Sequence, residues 1–116
     1  MILENKASQI FYLDNKQGEM KLKKKYLMSI DIGTQSAKAI IFDLNGNIIC
    51  QAVKKLKNIQ IPAPLLAIHP DDDIWDSLQE ALRILMHEYR VLGENPESIQ
   101  AIGLCVIRCC RALIKE

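Results

Sequence analysis

The sequence predicts an α/β fold in which three antiparallel strands precede one helix and a further strand parallel to the first. Two apolar runs on either side of a polar turn, residues 27–32 and 37–43, predict the first hairpin. Apolar residues that recur at steps of three and four between residues 75 and 92 predict an amphipathic helix. The apolar run at residues 99–107 is short enough for a buried strand, so the predicted order is β-β-β-α-β.

Length and composition place the chain among soluble globular proteins. Its 116 residues suffice for one domain, but not for an enzyme of two lobes. Apolar residues make up 49% and charged residues 25% of the chain, which disfavours disordered, collagenous and membrane classes. A formal net charge of +1 gives no electrostatic footprint for nucleic acid. Since no apolar run approaches the ~20 residues of a membrane span and no secretory signal is recognisable, we expect a cytoplasmic protein.

Residues 1–25 differ in pattern from the rest of the chain. One apolar patch, at residues 10–13, lies between polar stretches, and the segment ends in a run of lysines. We therefore expect a disordered leader, followed by a domain over residues 26–116. Met20 and Met28 are alternative starts of translation to Met1, which the N-terminal mass of the native protein would test.

Turn residues predict the next boundaries. Asn45 and Gly46 suit the positive φ angles of a tight type I′ hairpin turn, which leads into a third strand over residues 47–54. Residues 61–64, Ile-Pro-Ala-Pro, predict a loop, because proline cannot donate a hydrogen bond to a β-ladder.

The predicted helix has a marked start and end. Pro70 suits a first helical turn, and the carboxylates of residues 71–73 complement the exposed N–H groups there, which makes them a helix start rather than a metal site. Gly93 is placed to cap the C-terminus. The apolar stripe is expected to face the core, and it consists of Trp75, Leu78, Leu82, Leu85, Tyr89 and Leu92.

The four cysteines, Cys50, Cys105, Cys109 and Cys110, are expected to be reduced thiols, because no export signal is recognisable. Zinc sites favour paired cysteines or a cysteine and histidine set, and neither histidine of the chain lies at a matching spacing. Small buried apolar side chains are therefore favoured over metal ligands.

Residues 31–38 contain the groups that a phosphate site requires. At the end of a buried strand, the Asp31 carboxylate can face Mg²⁺ or its water ligands, and Gly33 lets the backbone approach a phosphate without a Cβ atom. The turn amides of residues 33–36 and the hydroxyls of Thr34 and Ser36 are donors for phosphate oxygens, while Lys38 supplies a positive charge. An ordinary hairpin, whose polar side chains only satisfy turn amides, is the structural alternative.

The longer pattern around this turn resembles the FGGY carbohydrate kinases, a family of the actin-like, ribonuclease-H-like ATPase superfamily. Residues 31–43, Asp-Ile-Gly-Thr-Gln-Ser-Ala-Lys-Ala-Ile-Ile-Phe-Asp, resemble the family's first phosphate-binding hairpin. His69-Pro70 with Trp75 resembles the Asp-Pro and Trp that open its first long helix. Residues 101–104, Ala-Ile-Gly-Leu, resemble the strand that leads into its sugar site. The resemblance implies a partial ribonuclease-H-like domain.

The same resemblance implies ATP and Mg²⁺ as cofactors and a sugar or polyol as substrate. The ATP-binding residues that it implies are Asp31, Gly33, Thr34, Gln35, Ser36 and Lys38, with Asp31 also at the metal. Arg108 matches an arginine that helps to hold polyol hydroxyls in glycerol-kinase-like members, and a surface arginine at a strand end is the alternative. The glutamate that follows this arginine in those members is Cys109 here, so the sugar is not identified.

Phosphoryl transfer to a sugar hydroxyl needs a carboxylate at that hydroxyl besides a phosphate clamp and Mg²⁺. In the resembled family this aspartate, the second phosphate loop and the adenosine pocket lie downstream of the segment present here. We therefore expect an N-terminal kinase fragment that is inactive alone, or half of a split enzyme with a complementary C-terminal chain, with an open sheet edge and exposed apolar surface. A non-catalytic nucleotide-binding or partner-binding module of the superfamily, and a β-meander adaptor without a ligand, are the alternatives.

Overall fold

The computed structural model describes residues 24–70 and 72–108, together with the backbone of three strands nearer the N-terminus. The elements, in chain order, are β1 (Ile2–Asn5), β2 (Gln9–Leu13), β3 (Met20–Leu22), β4 (Tyr26–Ile32), β5 (Ser36–Asp43), β6 (Ile48–Lys55), β7 (Gln60–Ala63), β8 (Leu66–Ile68), α1 (Asp73–Val91), a 3₁₀ helix (Pro96–Ser98) and β9 (Ile99–Val106).

The three N-terminal strands pair antiparallel in the order β1-β2-β3. The sequence predicts a disordered leader over residues 1–25, whereas the structure has this small sheet. The central strand, Gln9–Leu13, contains the β-branched and aromatic residues of the apolar patch, which favour extended backbone.

The main sheet has four strands in the order β6-β5-β4-β9. β4, β5 and β6 form an antiparallel meander, and β9 is parallel to β4 after the crossover through α1. This confirms the predicted β-β-β-α-β order, and the third strand begins and ends one residue later than predicted. The parallel pair requires a crossover of a dozen or more residues, which α1 supplies.

One face of the main sheet is covered by α1 and contains the core. Successive side chains of a strand point to opposite faces, so Met28, Ala39, Ile41 and Ala52 are buried on this inner face. The core also contains the ring of Tyr26, edge-on to Tyr89 with 5.6 Å between centroids. Burial raises the pKa of Tyr26 to about 12.

The turn between β5 and β6 is wider than predicted. The Gly46 N–H donates to the Asp43 carbonyl at 3.1 Å, and Gly46 has φ of 85°, but Asn45 does not have a positive φ. The type I′ prediction is therefore wrong, and four residues, 44–47, lie between the end of β5 and the start of β6. The Asp43 carboxylate accepts hydrogen bonds from the backbone N–H and the side-chain amide of Asn47 and from the backbone N–H of Asn45. These hydrogen bonds lower the pKa of Asp43.

The loop predicted at residues 61–64 is also wrong, because β7 and β8 form a short hairpin there. Pro62 lies within β7 between the only two described pairs, Gln60 with Ile68 and Ala63 with Leu66. The register shifts between those pairs, and a proline is tolerated at such an irregularity because no ladder donor is needed. Leu65 at the tip has φ of 64° and an exposed side chain.

The buried face of α1 differs from the predicted stripe. Its members recur every four residues, and they are Asp73, Ser77, Ala81, Leu85 and Tyr89. The small Ala81 packs with Ala37 and Leu56, which lets the helix approach the sheet closely. Trp75 is two residues from both Asp73 and Ser77, which is a rotation of about 200°, so it lies on the side of the helix away from the buried face. Its side chain is 58% exposed. The prediction that Trp75 and Leu92 face the core is therefore wrong.

Both ends of α1 are capped by backbone geometry. The helix begins at Asp73, so Pro70 precedes its first turn, and the Pro70 carbonyl accepts from the Asp73 N–H at 3.2 Å. At the other end Gly93 has φ of 79°, its N–H donates to the Arg90 carbonyl, and the Glu94 N–H donates to the Tyr89 carbonyl. These two bonds form a Schellman motif, which confirms the predicted Gly93 cap. No helix in the described part of the chain is long and apolar enough to cross a membrane.

β9 lies at one edge of the main sheet, and the prediction that it is buried is wrong. α1 packs on β5 and β6 and leaves the β9 side of the inner face uncovered. The inner-face residues Ile102, Leu104 and Val106 are consequently 61%, 65% and 50% exposed. An edge strand of this kind presents apolar surface and unpaired backbone groups.

Candidate functional site

Four side chains of the outer sheet face form one row across the strands. Asp31 on β4 is opposite Lys38 on β5 and opposite Cys105 on β9, and Lys38 is opposite Val53 on β6. Residues paired in register lie on the same face of a sheet, with Cβ atoms about 5 Å apart. The structure therefore brings together the predicted metal residue Asp31 and the predicted phosphate residue Lys38.

Asp31 and Lys38 are neighbours without forming an ion pair. Among residues 24–70 and 72–108, ion pairs join Lys24 to Glu94 and Glu80 to Arg83. Asp31 is exposed and Lys38 is half-buried. Both charged groups are thus accessible to a ligand on the outer face.

The turn between β4 and β5 has fewer available donors than the sequence predicts. The Gly33 N–H donates to the Ser36 carbonyl at 2.9 Å, so this amide already has an acceptor within the turn, and a phosphate contact of Gly33 stays a prediction. The amides of Thr34 and Gln35 donate to no acceptor in the described part of the chain. Both residues are exposed, so these amides and the Thr34 hydroxyl remain available to an anion.

Among the described residues, nothing sterically requires glycine at position 33. Its φ is not positive, and a Cβ atom added there would lie 3.8 Å from the Ser36 carbonyl oxygen, an ordinary contact. The described residues therefore tolerate a side chain at this position.

A cleft of about 520 Å³ opens beside this turn. Its lining residues come from the β4–β5 turn, from β6 and from the segment after β6, and they are Thr34, Gln35, Ser36, Val53, Lys55, Leu56, Lys57, Asn58 and Ile59. The predicted residues Thr34, Gln35 and Ser36 thus share one cleft. Sequence reasoning missed Lys55, Lys57 and Asn58, although extending the strand alternation of β6 from Val53 would have placed Lys55 beside the turn.

Two backbone hydrogen bonds fix the segment after β6 against the rest of the site. The Leu56 N–H donates to the Gln35 carbonyl at 2.9 Å, and the Leu56 side chain is buried. The Lys57 N–H donates to the Asp73 carboxylate at 2.7 Å. The cleft therefore has two walls with fixed backbone positions.

The predicted substrate residue lies beyond the cleft lining. Arg108 is exposed, follows the end of β9, and forms no ion pair with a described residue. β9 is parallel to β4, so Arg108 lies near the same strand ends as the β4–β5 turn. Ligands of parallel sheets commonly bind at these ends, which keeps Arg108 a candidate.

The cysteine cluster lies partly outside the described residues, since Cys109 and Cys110 are not among them. Cys50 is buried, Cys105 is exposed, and both are free thiols. Burial raises the pKa of the Cys50 thiol. No group of three or more metal-binding side chains occurs among the residues that the structure describes.

Comparison with known proteins connects this chain to a family. The model for the FGGY family of carbohydrate kinases, N-terminal domain, matches residues 26–113. The chain is 45% identical over 94 residues to an uncharacterized sugar kinase, YgcE, of Escherichia coli K12. It is 38% identical over 80 residues to glycerol kinase 2 of Thermotoga maritima and 41% identical over 80 residues to a glycerol kinase of Borrelia duttonii.

These matches cover most of the chain but little of the relatives. They include 81% of this chain for the sugar kinase and 69% for each of the two glycerol kinases. The chain spans 18% of the length of the first relative and 15% of the other two.

Proposed function

The chain belongs to the FGGY family of carbohydrate kinases, and we propose that it is the part of such an enzyme that holds the phosphates and Mg²⁺ of ATP. The observation that carries this proposal is the position of Asp31 and Lys38, paired in register on the outer face beside a cleft lined by Thr34, Gln35 and Ser36. Hydroxyls, free amides and an ammonium group suit phosphate oxygens, and an exposed carboxylate suits Mg²⁺ or its waters.

Each residue has a separate role in the proposal. Lys38 attracts the phosphate chain as a point charge, and the Thr34 and Ser36 hydroxyls orient it by donating hydrogen bonds. Asp31 orients Mg²⁺ directly or through water, and the bound ion neutralises negative charge on the phosphates. Gly33 leaves room for the phosphate beside the turn.

We propose a sugar or polyol as the acceptor in the complete enzyme, with Arg108 holding its hydroxyls. The family membership and the names of the relatives support this substrate class. The position of Arg108 beyond the end of β9 supports its role. We also propose that the enzyme acts in the cytoplasm.

We propose further that the 116-residue chain does not transfer phosphate by itself. Of the described carboxylates near the cleft, Asp31 is assigned to the metal by the proposal, and Asp73 accepts hydrogen bonds from the Lys57 N–H and the Ser77 hydroxyl. A second carboxylate is needed to take or position the hydroxyl proton of the acceptor. A complementary chain, or the further sequence of a longer protein, would supply that group and the adenosine pocket.

Calorimetric titration of the chain with MgATP tests the nucleotide proposal. We expect binding that Asp31→Ala and Lys38→Ala each weaken about tenfold, the effect of losing roughly 1.4 kcal/mol of interaction. Gln51→Ala is the matched control, because Gln51 lies exposed on the same face of β6 opposite Ile40, away from the cleft lining. The proposal would be overturned if the unchanged chain bound no MgATP. It would also be overturned if the unchanged chain and the three variants bound MgATP with equal affinity.

An ADP-release assay with glycerol and a panel of sugars tests the proposed inactivity. We expect no release above the rate of the Asp31→Ala variant with any acceptor. Turnover that depends on both acceptor and Asp31 would mean that the chain contains a complete phosphotransferase. A third result would instead favour a non-catalytic nucleotide-binding module. In that case the chain would be a stable monomer that binds MgATP tightly, shows no turnover, and gains no activity when a complementary kinase chain is added.

A further inference from the structure

We propose that Lys55 and Lys57 form a second, positively charged wall of the cleft beside Thr34 and Ser36 and bind a linear triphosphate there. This inference rests on the proposed function and extends it to residues outside the phosphate-binding hairpin. The ligand chemistry is a chain of adjacent phosphates, as found in ATP and in inorganic tripolyphosphate.

The register of the sheet places the first lysine beside the hairpin. Lys55 is opposite Ser36 in the pairing of β5 with β6, so both side chains lie on one face. Lys57 follows two residues later, and both lysines line the 520 Å³ cleft together with Thr34 and Ser36. Small-molecule sites commonly have volumes of about 300–1,000 Å³, so a triphosphate chain fits this space.

The second wall is held in place by contacts to both neighbouring elements. Leu56, between the two lysines, is buried and donates its N–H to the Gln35 carbonyl of the hairpin turn. Lys57 donates its own N–H to the Asp73 carboxylate at the start of α1. Because the backbone is fixed on both sides, the lysine side chains do not need a rearranged main chain to reach a ligand.

The charge of the cleft matches a polyanion. Neither Lys55 nor Lys57 forms an ion pair with any residue in the ranges 24–70 and 72–108. With Lys38, opposite the cleft residue Val53, they place three ammonium groups near the turn. The nearby described carboxylates are those of Asp31 and Asp73, and Asp73 already accepts hydrogen bonds from the Lys57 N–H and the Ser77 hydroxyl. Each added phosphate strengthens the Coulomb attraction to such a cluster, so the lysines should favour a triphosphate over a monophosphate.

Titration of lysine variants with three probes tests this inference. The probes are MgATP, AMP and magnesium tripolyphosphate, and the variants are Lys55→Ala, Lys57→Ala and the double variant. Lys54→Ala is the control, since Lys54 is exposed, is opposite the inner-face residue Ala37, and does not line the cleft. Thermal unfolding of each variant identifies any loss of folding.

We expect each single variant to bind MgATP about three- to tenfold more weakly, and the double variant more weakly still, by loss of one or two charges near the phosphates. AMP binding should change less, and tripolyphosphate should compete with MgATP for the unchanged chain. Suppose that the unchanged chain binds MgATP. If the Lys55 and Lys57 variants then bind it with the same affinity as Lys54→Ala, or if tripolyphosphate does not compete with MgATP, this inference is wrong and the proposed function stands. If the unchanged chain binds no MgATP, both are wrong.

Discussion

The Asp73 carboxylate accepts a 2.7 Å hydrogen bond from the backbone N–H of Lys57, a residue 16 positions away in the chain. Asp73 is 5% exposed, and its other oxygen lies 3.4 Å from the Ser77 hydroxyl. This contact joins the first turn of α1 to the segment that forms one wall of the cleft. Asp73 therefore supports the helix start and also fixes the geometry of the proposed binding site.

Asp73→Ala should destabilise the fold and weaken MgATP binding together. The substitution leaves the partly buried Lys57 N–H without its acceptor, which costs less than the about 1–3 kcal/mol of a fully buried group because water can replace the carboxylate in part. Asp76→Ala is the control, because Asp76 is an exposed carboxylate in the same helical turn. Urea denaturation measures the stability and calorimetry the binding. Equal stabilities of the two variants would show that the Lys57 contact contributes nothing.

Gly33→Ala should leave stability unchanged within about 0.5 kcal/mol, as for surface substitutions without a special contact. A Cβ atom there meets only the Ser36 carbonyl oxygen, at 3.8 Å. The same variant should bind MgATP at least tenfold more weakly, because the methyl group would occupy the space proposed for a phosphate. Gly46→Ala is the contrasting variant: it should lower the melting temperature, since Gly46 has φ of 85°, and spare nucleotide binding. Unchanged MgATP affinity of Gly33→Ala would contradict the proposed close approach.

Tyr89→Phe should lower the free energy of unfolding by about 1 kcal/mol, the usual net value of a buried hydrogen bond. The Tyr89 hydroxyl lies 2.7 Å from the Ser98 hydroxyl, and both side chains are buried. Ser98 also donates to the Asn95 carbonyl. A double-mutant cycle with Ser98→Ala isolates the contact, and a coupling energy of zero would mean that the two hydroxyls do not stabilise each other.

Glu94→Gln should remove part of the acid sensitivity of folding. The hydrogen bond from Lys24 lowers the pKa of Glu94 below its usual 4.5. A lowered folded-state pKa adds stability that is present above about pH 4.5 and is lost as pH falls through the folded value. The variant should therefore melt at a lower temperature than the unchanged protein at pH 7, with a smaller difference at pH 3. Glu88→Gln is the control, because it removes an exposed glutamate without a described ion pair. Its difference in melting temperature from the unchanged protein should not become smaller between pH 7 and pH 3.

Leu65→Asn should stabilise the fold by roughly 0.5–1 kcal/mol, because asparagine adopts positive φ more readily than leucine. Leu65 has φ of 64° at the tip of the β7–β8 hairpin, and its exposed side chain loses no packing when replaced. Chemical denaturation measures the change. Leu66→Asn serves as the comparison without a positive φ, and an equal response of both variants would argue against backbone strain at the tip.

Sequence patterns were most informative where short-range physics decides the outcome. The two apolar runs and the polar turn between them predicted the strands β4 and β5. The positive φ of Gly93 was likewise expected, because glycine follows the last apolar residue of the helical pattern. Local reasoning failed at Asn45, where the number of loop residues was wrong, and at Pro62, where an irregular hairpin accommodates a proline.

The sequence by itself determined the order of the main-sheet strands and α1, the helix cap and the set of polar groups beside the β4–β5 turn, because these depend on residues close together in the chain. Only the tertiary structure decided that Trp75 is exposed, since Ala81 and Ser77 allow the helix to pack through its small residues. Tertiary structure also decided that Lys55 and Lys57 share a cleft with the β4–β5 turn, and that Asp73 holds Lys57 in place. Those contacts depend on strand register and on helix placement, which are set by packing between distant segments rather than by local sequence.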